Sequence, residues 1–295
     1  MIVFRNKMIF EKVISLWNIP ILINSKQDQS IMKSIYPFII FIFLLDSCSQ
    51  NLVTGRKQLS LVSESELQSM AKQEYQTFLN ANKVLHNNDA SMVSRVGSRI
   101  AGAIGRYYET QGKPSVLSGY VWEFNLVENN EVNAWCMPGG KVVVYSGLLP
   151  ITQNEEGLAI VLGHEITHAI AQHGSERVSQ GLLQQLGGSA LSYALANKPK
   201  ETQNLFLTAY GVGSSVGALL PFSRKEEAEA DEYGLYYAAM AGYNPQSAIP
   251  FWERMAAAGG SKPVEFLSDH PSDANRIAKM KEYMPKALKY YKPKS

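Results

Sequence analysis

Residues His164-Glu165-Ile166-Thr167-His168 form an H-E-x-x-H motif inside an apolar segment with helical periodicity. Histidines four residues apart project from one face of a helix, so both imidazoles can bind the same metal ion. Glu165 projects beside them, where its carboxylate can accept a proton from a zinc-bound water molecule. A chance pentapeptide is the alternative, but burying two histidines and a glutamate without a metal is costly. The motif therefore predicts a catalytic zinc site.

The segment around the motif predicts one long buried helix, from about residue 153 to residue 173. Thr152 and Glu155 have the spacing of a capping box, and acidic residues suit the first turn of a helix. Gly174 is the predicted stop.

A third protein ligand is expected because catalytic zinc sites use three protein ligands and keep one position open. His173 lies five residues after His168, about 140° further round the helix, and is predicted to point away from the metal as a structural residue. Glu227 and Asp231 share a helix face, so Glu227 can bind the metal while Asp231 orients an imidazole. The surrounding carboxylates fit a solvated helix face equally well, and spacing does not decide between the two.

Several motifs occur in a characteristic order after Cys48. They are Thr54-Gly55-Arg56, Asn133-Ala134-Trp135, Pro138-Gly139-Gly140, Ser146-Gly147-Leu148-Leu149, the H-E-x-x-H motif, Glu227 with Asp231, and His270-Pro271 with Arg276. In this order they resemble metallopeptidase family M48, and most of all its stand-alone periplasmic lipoproteins. Cys136-Met137 departs from the family pattern, which we expect to affect packing more than chemistry.

The resemblance implies an α+β, mainly helical fold, a zincin-like (gluzincin) metallopeptidase domain with a small β-sheet beside the active-site helix. It implies one Zn²⁺ per chain bound by His164, His168 and Glu227, with Asp231 behind His164. It also implies that the segment from Asn133 to Gly140, with Ala134 and Gly139, borders the substrate cleft.

His270 is placed near the zinc by the same resemblance, and three roles stay open for it. It could donate a hydrogen bond to the oxyanion of the reaction, occupy the open zinc position and keep the enzyme latent, or cap a helix. Arg276 is expected either to orient His270 or to contact an acidic neighbour.

The first 47 residues predict a secretion signal. One charge at Lys33 precedes an apolar run from Ile35 to Leu45, which is too short for a spanning helix. Leu45-Asp46-Ser47-Cys48 resembles a bacterial lipobox, so Cys48 is the expected lipidation site. A cleaved signal without lipid and an uncleaved anchor are the alternatives.

Three segments are therefore expected along the chain. Residues 1–47 are the signal segment, within which residues 1–31 are interpreted as an extension ahead of the true start. Residues 48–60 are a lipid-anchored tether, and residues 61–295 are the zinc metallopeptidase domain. The expected location is the bacterial periplasm, with the lipid in the outer membrane.

The composition agrees with a globular enzyme of 295 residues, of which 45% are hydrophobic and 18% charged. The net charge of +2 is carried by residues 1–47, because the remainder has 23 basic and 23 acidic residues. No nucleic-acid-binding motif is present, and no nucleic-acid partner is expected. Cys136 is expected to be a packed side chain rather than a nucleophile.

Helices are predicted over Glu64–His86 and Ala90–Tyr107, and strands over Trp122–Val127, Val132–Met137 and Lys141–Tyr145. An extended peptide substrate could pair with the last of these strands.

The sequence thus predicts a zinc-dependent endopeptidase that cleaves misfolded or misassembled envelope proteins. The rival hypothesis is a lipid-anchored chaperone or assembly factor whose zinc site is kept latent by His270.

Overall fold

The computed structural model describes residues 48–183, 199–210, 223–258, 264–270 and 275–293, which belong to one unit, Ser47–Ser295. The predicted signal segment, residues 1–47, lies outside the described residues. The helices are α1 (Glu64–Ala81), α2 (Asn88–Thr110), α3 (Leu149–Thr152), α4 (Glu155–Ile170), α5 (described over 173–183), α6 (Pro199–Tyr210), α7 (Arg224–Met240), α8 (Ala248–Ala258), α9 (Glu265–Asp269) and α10 (Arg276–Tyr290). The strands are β1 (Cys48–Gln50), β2 (Lys57–Leu59), β3 (Glu123–Val127), β4 (Ala134–Met137) and β5 (Lys141–Tyr145), and short 3₁₀ turns cover Pro114–Leu117, Ser146–Leu148 and Pro245–Ser247.

The motif helix α4 begins differently from the prediction. Its N-cap is Asn154, whose side chain accepts a hydrogen bond from the backbone N–H of Gly157. The expected capping box of Thr152 and Glu155 is therefore wrong. Gln153 has a φ of 65°, and this left-handed residue separates α3 from α4, so the cap moves to the residue that follows it.

The end of α4 also differs from the prediction. The helix ends at Ile170 with Ala171 as its C-cap, and Gln172 then has a φ of 55°. Helical structure resumes at residue 173, so Gly174 lies inside the following helix and is not the stop. Because the helix is interrupted at Gln172, the angle of about 140° expected for a continuous helix does not apply to His173.

Helix α4 lies at the centre of the fold, since every residue from Gly157 to Ile170 is buried. A helix that is apolar on all sides is typical of a core position. Helices α4 and α7 cross where Gly163 and Gly234 face each other. A Cβ added to Gly234 would lie 2.7 Å from the backbone nitrogen of His164, so only glycine permits this approach. The crossing brings the histidines of α4 next to the carboxylates of α7.

The sheet beside α4 has the strand order β3-β5-β4, with β3 parallel and β4 antiparallel to β5. Strand β5 is central and paired on both sides, so the expectation that Lys141–Tyr145 pairs with a substrate is wrong. The outer side of β3 is partly taken, because Leu85 N–H donates to Leu126 C=O and Glu128 N–H donates to Lys83 C=O. Strand β4 forms the other edge and packs against α4.

The same pairing explains why α1 ends at Ala81 rather than at His86. Asn82 adopts an extended conformation as C-cap, and residues 83–85 then run along β3. The final helix begins at Arg276, and His270 is the C-cap of α9.

The segment expected to be a tether, residues 48–60, contains the β1–β2 hairpin. Asn51 and Gln58 in this hairpin are buried, and Asn51 Nδ2 donates to the carbonyl of Ala171 at 2.6 Å. This segment is therefore folded onto the domain over much of its length.

The predicted fold class is confirmed: helices dominate and a small sheet lies beside the motif helix. Among the described helices, none has the length and apolar character needed to cross a membrane.

Candidate metal centre

The two motif histidines lie side by side in the core. His164 is 1% exposed and His168 is 3% exposed, and their Nε2 atoms are 3.0 Å apart. Their helical spacing accounts for this arrangement, as the sequence predicted.

Helix α7 brings Glu227 to the same point. Its Oε2 lies 3.4 Å from His164 Nε2, and its Oε1 lies 3.3 Å from His168 Nε2. The helix begins with a full capping box formed by Ser223 and Glu226, which places Glu227 in the first turn. Glu227 is 2% exposed, so the alternative of a solvated acidic face is excluded at this position.

Asp231 lies one turn further along α7 and supports His164. Its Oδ1 is 3.0 Å from His164 Nδ1. Arg276 donates to both carboxylate oxygens of Asp231, from Nε and from Nη2, each at 2.7 Å. The Arg276 guanidinium also lies 3.4 Å from the ring centroid of Trp252. Arg276 was expected either to orient His270 or to contact an acidic neighbour, and the structure shows the contact with an acidic neighbour, Asp231.

His270 completes the cluster from the end of α9. Its Nδ1 lies 3.0 Å from Glu227 Oε1 and 3.3 Å from His164 Nε2. Its backbone N–H donates to the carbonyl of Phe266, and its ring stacks on the Phe266 ring with centroids 4.5 Å apart. His270 is therefore both the C-cap of α9 and a member of the cluster.

The four side chains have the geometry of a zinc site. Their candidate ligand atoms all lie within 4.8 Å of one another, and the distances given above fall between 3.0 and 3.4 Å. Four ligands at the usual Zn–N and Zn–O bond lengths around a tetrahedral zinc lie about 3.3 Å apart. Three imidazole nitrogens and one carboxylate oxygen are also donors that zinc accepts. The residues present therefore fit the implied metal.

Glu165 is buried beside this cluster, and its Oε1 has no hydrogen-bond partner among the described residues. His270 Nε2 is 3.4 Å from this oxygen, which is within ion-pair range but does not form a hydrogen bond. A buried carboxylate oxygen without a hydrogen-bond donor is costly, so this oxygen is free to accept a hydrogen bond beside the cluster.

The electrostatics of the cluster follow from its burial. Burial alone would lower the pKa of His164, but Glu227 and Asp231 outweigh it and raise that pKa to about 9. Burial lowers the pKa of His168 well below its usual value, which favours the neutral imidazole that binds a metal. Burial would raise the pKa of Glu227, but His270 and His164 hold it well below the usual range. Burial also raises the pKa of Glu165.

The residues expected at the substrate cleft lie in two places. Asn133 Nδ2 donates to Asp269, the neighbour of His270, at 3.0 Å, and Asn133 Oδ1 accepts from the N–H of Ala134. Gly139 and Gly140 instead form the turn between β4 and β5, with φ values of 77° and 81°. Their carbonyls accept from the N–H groups that precede and begin β3. Of these four residues, only Asn133 and Ala134 are linked to the metal cluster, through the hydrogen bond from Asn133 to Asp269.

Cys136 is buried, and burial raises the pKa of its thiol well above the usual value. A thiol held protonated in this way is a poor nucleophile, which agrees with the packing role expected for it. Cys48 lies in β1.

Sequence reasoning missed one group of residues at the site. His173 contacts the side of His168 that faces away from the cluster, and Glu229 and Arg56 lie behind His173. The break at Gln172 decides this placement, and no local signal in the sequence announced it.

The sequence profile of peptidase family M48 matches residues 89–284. The chain belongs to peptidase family M48. The matched range contains all four clustered side chains together with Glu165, Asp231 and Arg276.

Named relatives come from two settings. "Mitochondrial metalloendopeptidase OMA1" of Schizosaccharomyces pombe is 34% identical over 242 residues, which cover 80% of this chain and 66% of the relative. "Metalloendopeptidase OMA1, mitochondrial" of Bos taurus is 31% identical over 262 residues, or 85% and 48% of the two chains. "Beta-barrel assembly-enhancing protease" of Escherichia coli is 32% identical over 162 residues, or 53% and 33%. The M48 chain thus spans between one third and two thirds of the length of these relatives.

Proposed function

We propose that this M48 protein is a zinc-dependent endopeptidase that cleaves misfolded or misassembled proteins of the bacterial cell envelope. The observation that carries the proposal is the convergence of His164, His168 and Glu227 beside a buried Glu165 oxygen that has no hydrogen-bond partner in the described part of the chain. The printed names of the relatives, which are metalloendopeptidases and a protease, support the same class of reaction.

The roles proposed for the residues follow from their positions. Zinc held by His164, His168 and Glu227 would polarise the scissile carbonyl and make a water molecule more acidic. Glu165 accepts the proton of the attacking water at Oε1 and passes it to the leaving amine. Asp231 holds His164 in the orientation in which Nε2 faces the other ligand atoms, and Arg276 fixes the Asp231 carboxylate.

A substrate in extended form is proposed to align along β4, the sheet edge beside α4. Tyr145 N–H donates to Asn133 C=O across the β4–β5 pair. In this antiparallel register the peptide groups of Ala134 and Cys136 are directed away from β5. Ala134 N–H is taken by the side chain of Asn133, so the Ala134 carbonyl and the Cys136 peptide groups are the candidates for pairing with substrate.

His270 is proposed to keep the enzyme latent. Its Nδ1 lies at ligand–ligand distance from both His164 Nε2 and Glu227 Oε1, so it occupies the position that substrate and water need. Asp269 next to it is bonded to Asn133 at the start of β4, and movement of residues 269 and 270 would therefore affect the metal cluster and the sheet edge together. Once moved, the imidazole could donate a hydrogen bond to the oxyanion instead.

The envelope setting is proposed from the lipobox-like sequence that ends at Cys48, with the lipid at Cys48 holding the protein at the outer membrane of a bacterium. The Escherichia coli relative named for β-barrel assembly supports this setting. The mitochondrial names of other relatives fit a second setting, which a lipidated Cys48 would exclude.

A second candidate function is a chaperone or assembly factor with a permanently latent metal site. The position of His270 Nδ1 inside the cluster favours it.

Hydrolysis of an unfolded casein by the purified zinc-loaded protein and by His270→Ala tests the proposal, with Glu165→Gln in each background as the control. Endopeptidase cleavage that disappears with Glu165→Gln supports the enzyme. If the imidazole enforces latency, His270→Ala raises the basal rate. No cleavage by either form at one zinc per chain would refute the enzyme, and suppression of casein aggregation by both forms would then support the chaperone.

A further inference from the structure

His168 is supported from behind by a second histidine that the mechanism above does not use. The Nδ1 atoms of His168 and His173 are 2.9 Å apart, and the rings meet nearly edge to face, with centroids 5.0 Å apart and planes at 76°. His173 is fully buried, so solvent does not compete for this contact.

The direction of the hydrogen bonds follows from the proposed binding of zinc by His168 Nε2. His168 Nε2 faces His164 and Glu227, so it needs its lone pair for the metal and His168 carries its proton on Nδ1. His173 Nδ1 must then accept a hydrogen bond from the Nδ1–H group of His168. The other nitrogen of His173, Nε2, is protonated and donates to Glu229 Oε2 at 3.0 Å. His173 thus links the Glu229 carboxylate to the ring of His168 through two hydrogen bonds.

Glu229 is in turn held by Arg56. Arg56 Nε donates to Glu229 Oε1 at 2.9 Å, while its two terminal nitrogens donate to the two oxygens of Glu176 at 2.9 and 2.6 Å. The three side chains are 10 to 14% exposed, so this ion-pair network is largely shielded from solvent. A guanidinium held by three hydrogen bonds to carboxylate oxygens is well oriented.

Arg56 comes from the β1–β2 hairpin, which is fastened to the end of α4 at further points. Asn51 Nδ2 donates to Ala171 C=O where α4 ends, and Leu61 N–H, just after β2, donates to Ser179 Oγ on α5. The hairpin therefore holds both sides of the break that turns His173 towards His168. The hairpin also lies outside residues 89–284, the range matched to family M48. Arg56 belongs to the Thr54-Gly55-Arg56 motif, to which the sequence alone assigned no role.

The two motif histidines thus have separate supports. His164 is oriented by Asp231 and Arg276, both from the helices after the motif. His168 is oriented by His173, Glu229 and Arg56, a longer path that ends in the N-terminal hairpin.

We propose that His173 is a positioning residue for His168, held through Glu229 by Arg56, so that the N-terminal hairpin controls how tightly the metal is bound. The inference rests on the proposed ligation of zinc by His168. It makes the hairpin that begins at Cys48 a structural part of the metal centre rather than a passive linker.

Zinc affinity of the full chain is the first measurement, made by competition with a chromophoric chelator at fixed pH and ionic strength. Supports behind zinc-binding histidines change affinity by about 10- to 100-fold, which is the weakening expected for His173→Phe. Arg56→Gln acts at a greater distance and is expected near the lower end, about 10-fold. Arg95→Gln is the matched control, because Arg95 makes the same kind of contact with Glu155 at an exposed site away from the cluster, and it should leave zinc affinity unchanged.

A purely structural role is separated by thermal unfolding with and without zinc. A structural role lowers the Tm of both forms equally, whereas a positioning role shrinks the increase in Tm that zinc produces, because that increase depends on affinity. The double variant with Arg56→Gln and His173→Phe tests whether Arg56 acts through His173. If it does, the double variant binds zinc no more weakly than His173→Phe alone.

Unchanged zinc affinity in Arg56→Gln and Glu229→Gln, which lie further from the core than His173, would overturn the proposal even if His173→Phe fails to fold. Additive losses in the double variant would overturn the path through His173. These outcomes are independent of the proposed function, which fails only if the wild-type and His270→Ala proteins bind zinc and cleave nothing.

Discussion

Replacing Gly234 by alanine should damage the metal centre without changing any of the side chains that would bind the metal. The new Cβ would lie 2.7 Å from the backbone carbon of Gly163 and from the nitrogen of His164, whereas ordinary contact begins at 3.4 Å. Helices α4 and α7 must therefore separate by about 0.7 Å at their crossing. Metal–ligand distances tolerate changes of only about 0.2 Å, so the 3.4 Å spacing between His164 Nε2 and Glu227 Oε2 is pulled out of range.

The expected cost combines two effects. Overpacking of this kind costs about 1–3 kcal/mol, and alanine returns about 0.5–1 kcal/mol through its higher helix propensity. The net cost is about 0–2.5 kcal/mol, and each 1.4 kcal/mol corresponds to a factor of about ten. We therefore expect Gly234→Ala to unfold at lower temperature and to bind zinc about 10-fold more weakly.

Chelator competition and calorimetric unfolding, with and without zinc, measure both effects. Gly105→Ala in α2 is the control, because its Cβ would meet only Leu117 Cδ1 at 3.9 Å, and we expect it to be neutral or stabilising. Wild-type zinc affinity and Tm in Gly234→Ala would refute the idea that this crossing sets the ligand geometry.

Four further predictions concern the ligands, their supports and the N-terminus. Glu165→Gln should keep zinc and fold but lose at least ~10²-fold in kcat on an unfolded substrate, because an amide cannot accept the proton; near-normal turnover would contradict its role. Asp231→Asn should weaken zinc binding by about 10- to 100-fold in chelator competition, since Asp231 holds both His164 and Arg276; unchanged affinity counts against this support. His164 must lose its proton to bind zinc, so its raised pKa of about 9 predicts that zinc affinity rises with pH up to that value. Zinc binding at about pH 7.5 should then release a proton, which calorimetry in two buffers measures. A zinc affinity that does not change with pH would contradict this prediction. Intact-mass analysis should find Cys48 as a lipidated N-terminus, and an unmodified N-terminus upstream of it would contradict lipidation.

Much of the fold follows from local sequence. The H-E-x-x-H spacing, the apolar periodicity of α4 and the acidic spacing of Glu227 and Asp231 all act over one or two helical turns, where side-chain directions are set by the helix itself. Strand β5 was predicted residue for residue because its run of β-branched residues lies between two clear boundaries. Membership of family M48 and the mainly helical fold are confirmed on this basis. The roles of the individual site residues stay predictions.

Other features were decided by contacts between residues far apart in the chain. Whether β5 is an edge or a central strand depends on its partners, and β3 and β4 enclose it. The end of α1 was set by pairing of residues 83–85 with β3, which no helix signal near Ala81 reports.

The metal centre shows the same division. Local sequence was enough to predict that His164 and His168 can bind the same metal ion, since a helix fixes the relative directions of these two side chains. Only the tertiary structure decided what orients them. The Gly163–Gly234 crossing sets how closely α7 approaches, and the break at Gln172 turns His173 towards His168. Arg56 reaches this path from more than 100 residues away, as its contacts with Glu176 and Glu229 show. Hydrogen bonds to buried polar groups are made wherever the folded chain supplies a partner, so their partners cannot be read from local spacing.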